Sequence, residues 1–96
     1  MANPTIIGKF VKQPAEILDY DVDYTEWFSN RTDTPVSFTY TADLGITVVG
    51  AVRTGTVIKF ILGGGTVGTK YKIQVRLTTA AGLVKEADFT VAVKEI

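Results

Sequence analysis

Leu18-Asp19-Tyr20-Asp21-Val22-Asp23-Tyr24 decides the fold: an apolar or aromatic residue alternates with an aspartate without a slip. Side chains switch faces at each step along a strand but recur at about 3.6 residues along a helix, so this run reads as a half-buried β-strand. Working outward, the alternation returns at Val36, Phe38 and Tyr40 against Ser37, Thr39 and Thr41. It returns at Tyr71, Ile73, Val75 and Leu77 against Lys72, Gln74, Arg76 and Thr78, and at Ala87, Phe89, Val91 and Val93 against Asp88, Thr90 and Lys94. Residues 46–52 and 56–62 are β-branched but less cleanly alternating, and a short first strand falls around residues 9–12. About seven antiparallel strands in 96 residues predict an all-β, two-sheet immunoglobulin-like sandwich.

The turns agree with that class. Thr79-Ala80-Ala81-Gly82 joins the last two strands, with Gly82 free to take a positive φ. Gly68-Thr69-Lys70-Tyr71 puts a tyrosine just inside the penultimate strand after a glycine turn, which makes Tyr71 the candidate for a tyrosine corner. One helical turn is predicted over residues 25–29, where Asp23 and Glu26 have the spacing of an N-terminal cap and Trp27 and Phe28 follow. Residues 9–96 form the domain. Residues 1–8 read as an N-terminal arm whose Thr5, Ile6 and Ile7 call for a covering surface.

Composition excludes several classes of function. The chain is 46% hydrophobic and 21% charged, which is enough apolar material for one core. Ten basic residues balance ten acidic ones, and neither sign is gathered into a block that could track a phosphate backbone, so nucleic acid is not an expected partner. Without cysteine there is no disulfide, thiolate metal site or sulfur nucleophile. Without histidine the commonest general base, the usual zinc ligand and every Ser-His-Asp arrangement are missing. The start MANPTIIGKF lacks the pattern of a signal peptide, and no window approaches the roughly 18 apolar residues of a membrane span.

Four motifs bear on chemistry or binding. Gly63-Gly64-Gly65-Thr66-Val67-Gly68 fits G-x-G-x-x-G but runs into the Tyr71 strand instead of a helix that could hold a pyrophosphate, so it reads as a flexible loop. Asp19, Asp21 and Asp23 share a strand face, but same-face neighbours lie about 6.8 Å apart, too far for all three to reach one cation. They read as a solvated face, paired across strands with Lys59. Tyr20, Tyr24, Trp27 and Phe28 suit either a core or a partner hot spot, and the core reading extends the buried face of the Leu18 strand. Val57 and Ile61 lie on the face opposite Ile58 and Phe60, so that strand is apolar on both sides and its outer side calls for a covering loop or partner. No catalytic residue, cofactor or metal site is assigned. The candidate interaction residues are Ile6, Ile7, Val57, Ile61, Trp27 and Phe28.

The run Lys12-Gln13-Pro14-Ala15-Glu16-Ile17-Leu18-Asp19-Tyr20 and its continuation to Trp27 resemble the opening of a family of small tailed-phage virion proteins. Leu62-Gly63-Gly64-Gly65-Thr66-Val67-Gly68-Thr69-Lys70-Tyr71 and Leu77-Thr78-Thr79-Ala80-Ala81-Gly82 are similar to that family's glycine turn, tyrosine strand and final hairpin. Tyr24 stands where many relatives have Trp, and Phe28 where many have Leu. The resemblance implies an immunoglobulin-like fibre-tail adaptor or other tail-associated structural protein, made in the host cytoplasm without a signal peptide and found in the virion. It implies partners among tail, fibre or head-tail connector subunits, in several copies set by particle symmetry, with no membrane. A host-surface glycan-binding module and a capsid decoration protein are the competing readings.

Overall fold

A computed structural model describes residues 4–8 and 10–95. In chain order the elements are β1 (Thr5–Gly8), β2 (Val11–Lys12), β3 (Leu18–Asp23), α1 (Thr25–Phe28), β4 (Pro35–Ala42), β5 (Ile46–Thr54), β6 (Val57–Gly64), β7 (Lys70–Thr79) and β8 (Val84–Val93). They form two sheets of four strands, ordered β1-β3-β6-β5 and β2-β8-β7-β4. Setting β2 aside, β1-β3-β6-β5 opposite β4-β7-β8 follows the strand order A-B-E-D opposite C-F-G of constant-type immunoglobulin sandwiches.

Two features at the start differ from the sequence reading. Thr5–Gly8, expected as an arm, is an edge strand paired antiparallel with β3, Ile6 opposite Val22 and Gly8 opposite Tyr20. The strand expected around residues 9–12 begins at Val11 and pairs parallel with β8, so the described residues form eight strands with one parallel pairing. Lys9 lies outside the described residues. The chain therefore changes sheet between Gly8 and Val11, a switch that period-2 patterning cannot reveal because it depends on which edge each short segment finds.

The alternating runs place their apolar sets inward. Tyr20 and Val22 from β3, Ile58, Phe60 and Leu62 from β6, and Ile73, Val75 and Leu77 from β7 are all buried. Aromatic rings bridge the sheets: Tyr20 stacks on Phe89 at 5.5 Å, and Phe60 meets Phe89 at 6.1 Å and Tyr40 edge-on at 5.4 Å. Fully burying side chains of this kind contributes about 1.5–3 kcal/mol each, so this core is the main stabilising element. Helix α1 plugs one end: Asp23 Oδ1 accepts the Thr25 N–H at 2.9 Å, and Trp27 and Phe28 turn into the core.

The glycine run is more constrained than a flexible loop. Gly63 and Gly64 belong to β6, and Gly65, at φ +96°, packs so closely that a Cβ there would stand 2.6 Å from Val93 Cγ2. Gly82 takes the positive φ its hairpin needs, +88°, and its N–H donates to the Thr79 carbonyl at 3.0 Å.

Candidate functional site

The two outward faces of the sandwich are chemically unlike. Across the first sheet, Ile7, Asp21, Lys59 and Val52 lie side by side on β1, β3, β6 and β5. The next outward row is Asp19, Ile61 and Gly50. Beyond it a Cβ on Gly63 would touch Ile17 Cγ1 at 3.4 Å and Val49 Cγ2 at 3.5 Å, so both aliphatic chains close over the glycine. Ile17, Val49 and Val52 are 63%, 57% and 62% exposed, a high exposure for aliphatic side chains grouped on one face. Gly50 and Gly63 add no side chain, which leaves the β5–β6 half of the face low and apolar.

The β3 half is acidic. Lys59 Nζ lies 3.1 Å from Asp19 Oδ2 and 3.4 Å from Asp21 Oδ1. The hydrogen bond from Lys59 holds the Asp19 carboxyl below the usual carboxylate range, and the same bond raises Lys59. Lys59 is thus tethered to the stripe and neutralises part of it. Beside the stripe runs a groove of about 370 Å³ lined by Ile7, Gly8, Leu18, Asp19 and Asp21.

On the opposite sheet the middle of the outward face is a polar ladder, with Val36 and Val84 exposed toward one end of it. Arg76 Nε donates to Glu86 Oε1 at 2.7 Å, and Lys72 Nζ lies 3.8 Å from Asp88 Oδ2, with Thr39, Thr41 and Thr90 exposed around them. Such exposed cross-strand pairs contribute little to stability and keep a face wetted. A second groove, of about 350 Å³, lies between β1 and β8 and is lined by Pro4, Ile6, Glu86, Ala87 and Asp88.

The candidate interaction residues divide between surface and core. Val57 and Ile61 are half-buried and face outward on the first sheet, Ile7 is exposed in the same layer, and Ile6 is half-buried against the core. Trp27 and Phe28 are only 4% and 8% exposed. They are core residues: Trp27 packs edge-on with Phe28 at 4.8 Å and with Tyr24 at 6.4 Å, while the Arg31 guanidinium lies 4.3 Å over its ring. With Tyr20 and Tyr24 also buried, none of the four rings offers an open face for stacking a sugar. The Tyr71 hydroxyl accepts the Thr66 N–H at 2.8 Å, the kind of upstream backbone bond a tyrosine corner makes, and that bond lowers its pKa.

Sequence reasoning missed Ile17, Val49 and Val52. Ile17 precedes its strand, and a bulge between Val48 and Gly50 resets the alternation of β5. The available signal was Gly50, a single glycine interrupting a valine-rich run. It also missed Lys12, which is fully buried with Nζ donating to the carbonyls of Gln13 at 2.6 Å and Pro14 at 3.2 Å.

Among the described residues no helix is long and apolar enough to cross a membrane, and no cluster of acidic, histidine or cysteine side chains is placed to hold a metal ion. Fold and surface define a class: a small two-sheet β-sandwich whose distinguishing feature is an outward apolar sheet face beside an acidic stripe. The chain belongs to the gp77 family, described as podophage GP4 fiber-tail adaptor protein gp77, whose family model matches residues 12–92. Lys12, the Leu18 strand, the glycine run, Tyr71 and the final hairpin all lie inside that match. Membership makes the protein a phage tail adaptor and a component of the virion. Comparison with curated proteins finds no match.

Proposed function

We propose that this chain is a non-enzymatic structural subunit with an immunoglobulin-like fold that links fibre to tail through protein-protein contacts. The observation that carries the reading is the family match over residues 12–92, nearly the whole folded domain. The contrast between its two outward faces supports it, because a linker needs surfaces that tell partners apart. Its partners are other tail, fibre or connector subunits, and it is present in several copies set by the symmetry of the particle.

Two measurements test this. Mass spectrometry of washed virions should find the protein in a fixed ratio to tail subunits, and cryo-microscopy should place its density where fibres meet the tail. Density on the head would assign it to capsid decoration, and its absence from washed particles would end the structural reading.

A further inference from the structure

We infer that the outward face of the first sheet is a docking face for a different protein, one presenting an apolar patch bordered by Lys or Arg side chains. This rests on the adaptor reading and adds to it which face binds and what chemistry it binds.

The area is that of a small interface. The four strands span four, six, eight and nine residues, and at about 4.8 Å between strands and about 3.4 Å per residue they give a flat footprint of roughly 440 Å². That is below the ~600–1,000 Å² that each side of a standard interface takes and belongs with the smaller class of contact, so complementarity of charge has to carry the recognition. The apolar half, built on Ile17, Val49, Val52 and Ile61, supplies the part that must lose its water.

Charge decides the occupant. Among the described residues the face carries Asp19, Asp21 and Asp23 against Lys59, so three negative charges meet one positive and two are left in excess. A second copy is a poor fit in either arrangement. Stripe on stripe brings like charges together, and stripe on apolar half buries carboxylates without partners. A basic border on a different partner satisfies both halves at once. The groove lined by Ile7, Leu18, Asp19 and Asp21 suits one such residue, with its aliphatic stem along the walls and its charged end toward the carboxylates.

The test uses tail particles from a phage whose copy of this gene carries an early stop codon, titrated with purified chain. Val52→Lys and Val52→Asp alter an exposed position on the face, Thr39→Lys alters the opposite sheet, and circular dichroism checks that each variant keeps the fold. Val52→Lys should weaken binding at least about tenfold, Val52→Asp less, and Thr39→Lys should bind as wild type. Val52→Lys binding as wild type, or Thr39→Lys losing as much, overturns the choice of face. A larger loss for Val52→Asp than for Val52→Lys overturns the basic border. A wild-type dimer in sedimentation that Val52→Lys dissociates assigns the face to a second copy and overturns the inference. Failure of wild-type chain to bind the particles removes the adaptor reading itself, and the inference with it.

Discussion

Alanine at Gly65 probes the joint where the end of β6 meets the last strand. Gly65 has φ +96°, a left-handed conformation that costs an L-residue about 1–2 kcal/mol. The added Cβ would stand 2.6 Å from Val93 Cγ2 and 3.2 Å from Tyr71 Cε2. Neither neighbour has room to withdraw, since Val93 is fully buried and Tyr71 is anchored by its bond from Thr66. Forcing a methyl into such a site adds about 1–3 kcal/mol. The total, about 2–5 kcal/mol, is a large share of the ~5–15 kcal/mol that holds a small domain together. At about 4–8 °C per kcal/mol for a domain of this size, Tm should fall by about 8–40 °C. Gly68 supplies the control: its φ is +87°, but nothing among the described residues lies within 4 Å of its Cβ position, so Gly68→Ala carries only the backbone cost. Urea and thermal unfolding followed by the fluorescence of Trp27, the single tryptophan, measure both variants. Equal losses would refute the steric part of the reasoning, and a Gly65→Ala protein as stable as wild type would refute all of it.

The same substitution should act in opposite directions at two buried tyrosines. The Tyr24 hydroxyl donates to the Lys85 carbonyl at 3.2 Å, so Tyr24→Phe should cost about 1 kcal/mol in urea unfolding. The Tyr20 hydroxyl is buried and has no hydrogen-bond partner among the described residues, so Tyr20→Phe should leave stability unchanged or raise it. Burial, with Glu86 adding to it, pushes the Tyr24 pKa up to about 12 from its ordinary 10.0. The folded protein therefore keeps a proton that the unfolded chain gives up: this contribution is full below pH 10 and is lost as pH rises toward about 12. Tyr20 acts in the same direction and Tyr71 in the opposite one, so the difference between wild type and Tyr24→Phe across that window, read by urea midpoints, isolates Tyr24. Lys12→Met keeps the buried stem but leaves the Gln13 and Pro14 carbonyls without their donor, and should cost about 1–3 kcal/mol in the same assay.

Strands whose burial is one-sided were legible because their chemistry repeats with the pleat. From Leu18 to Asp23, and from Lys70 to Thr79, the sequence alternation and the buried face coincide. Thr5–Gly8 was not legible, because four residues with adjacent isoleucines carry no period and become a strand only by finding the free edge of β3. Lys12 defaults to solvent in any reading by residue type. Its burial depends on two carbonyls of the next turn that only the folded chain presents to it. Trp27 and Phe28 suited a hot spot as well as a core, and the placement of α1 over the sandwich end decides for the core. The docking face was half legible: Val57 and Ile61 broke the rule of one polar side, whereas Val49 and Val52 were hidden by the bulge.

That bulge ties the face to the way the sheets are closed off. A free sheet edge invites another strand, and each of the four edges here carries a feature that discourages one. β1 and β2 are four and two residues long, β4 opens on Pro35 with a register shift before Ser37, and β5 is interrupted between Val48 and Gly50. Strand addition is therefore disfavoured at every edge, which leaves side-chain faces as the route to association. At β5 the extra residue does both things at once. It breaks the hydrogen-bonding line of the edge, and it sets Val49 against Gly63 and Ile17 on the outward side. An adaptor built this way is guarded against chain-to-chain β-pairing by the same residue that enlarges its apolar face. Deleting Val49 to restore the register should therefore weaken particle binding and promote self-association together, and a deletion variant that showed only one of the two effects would refute the link between them.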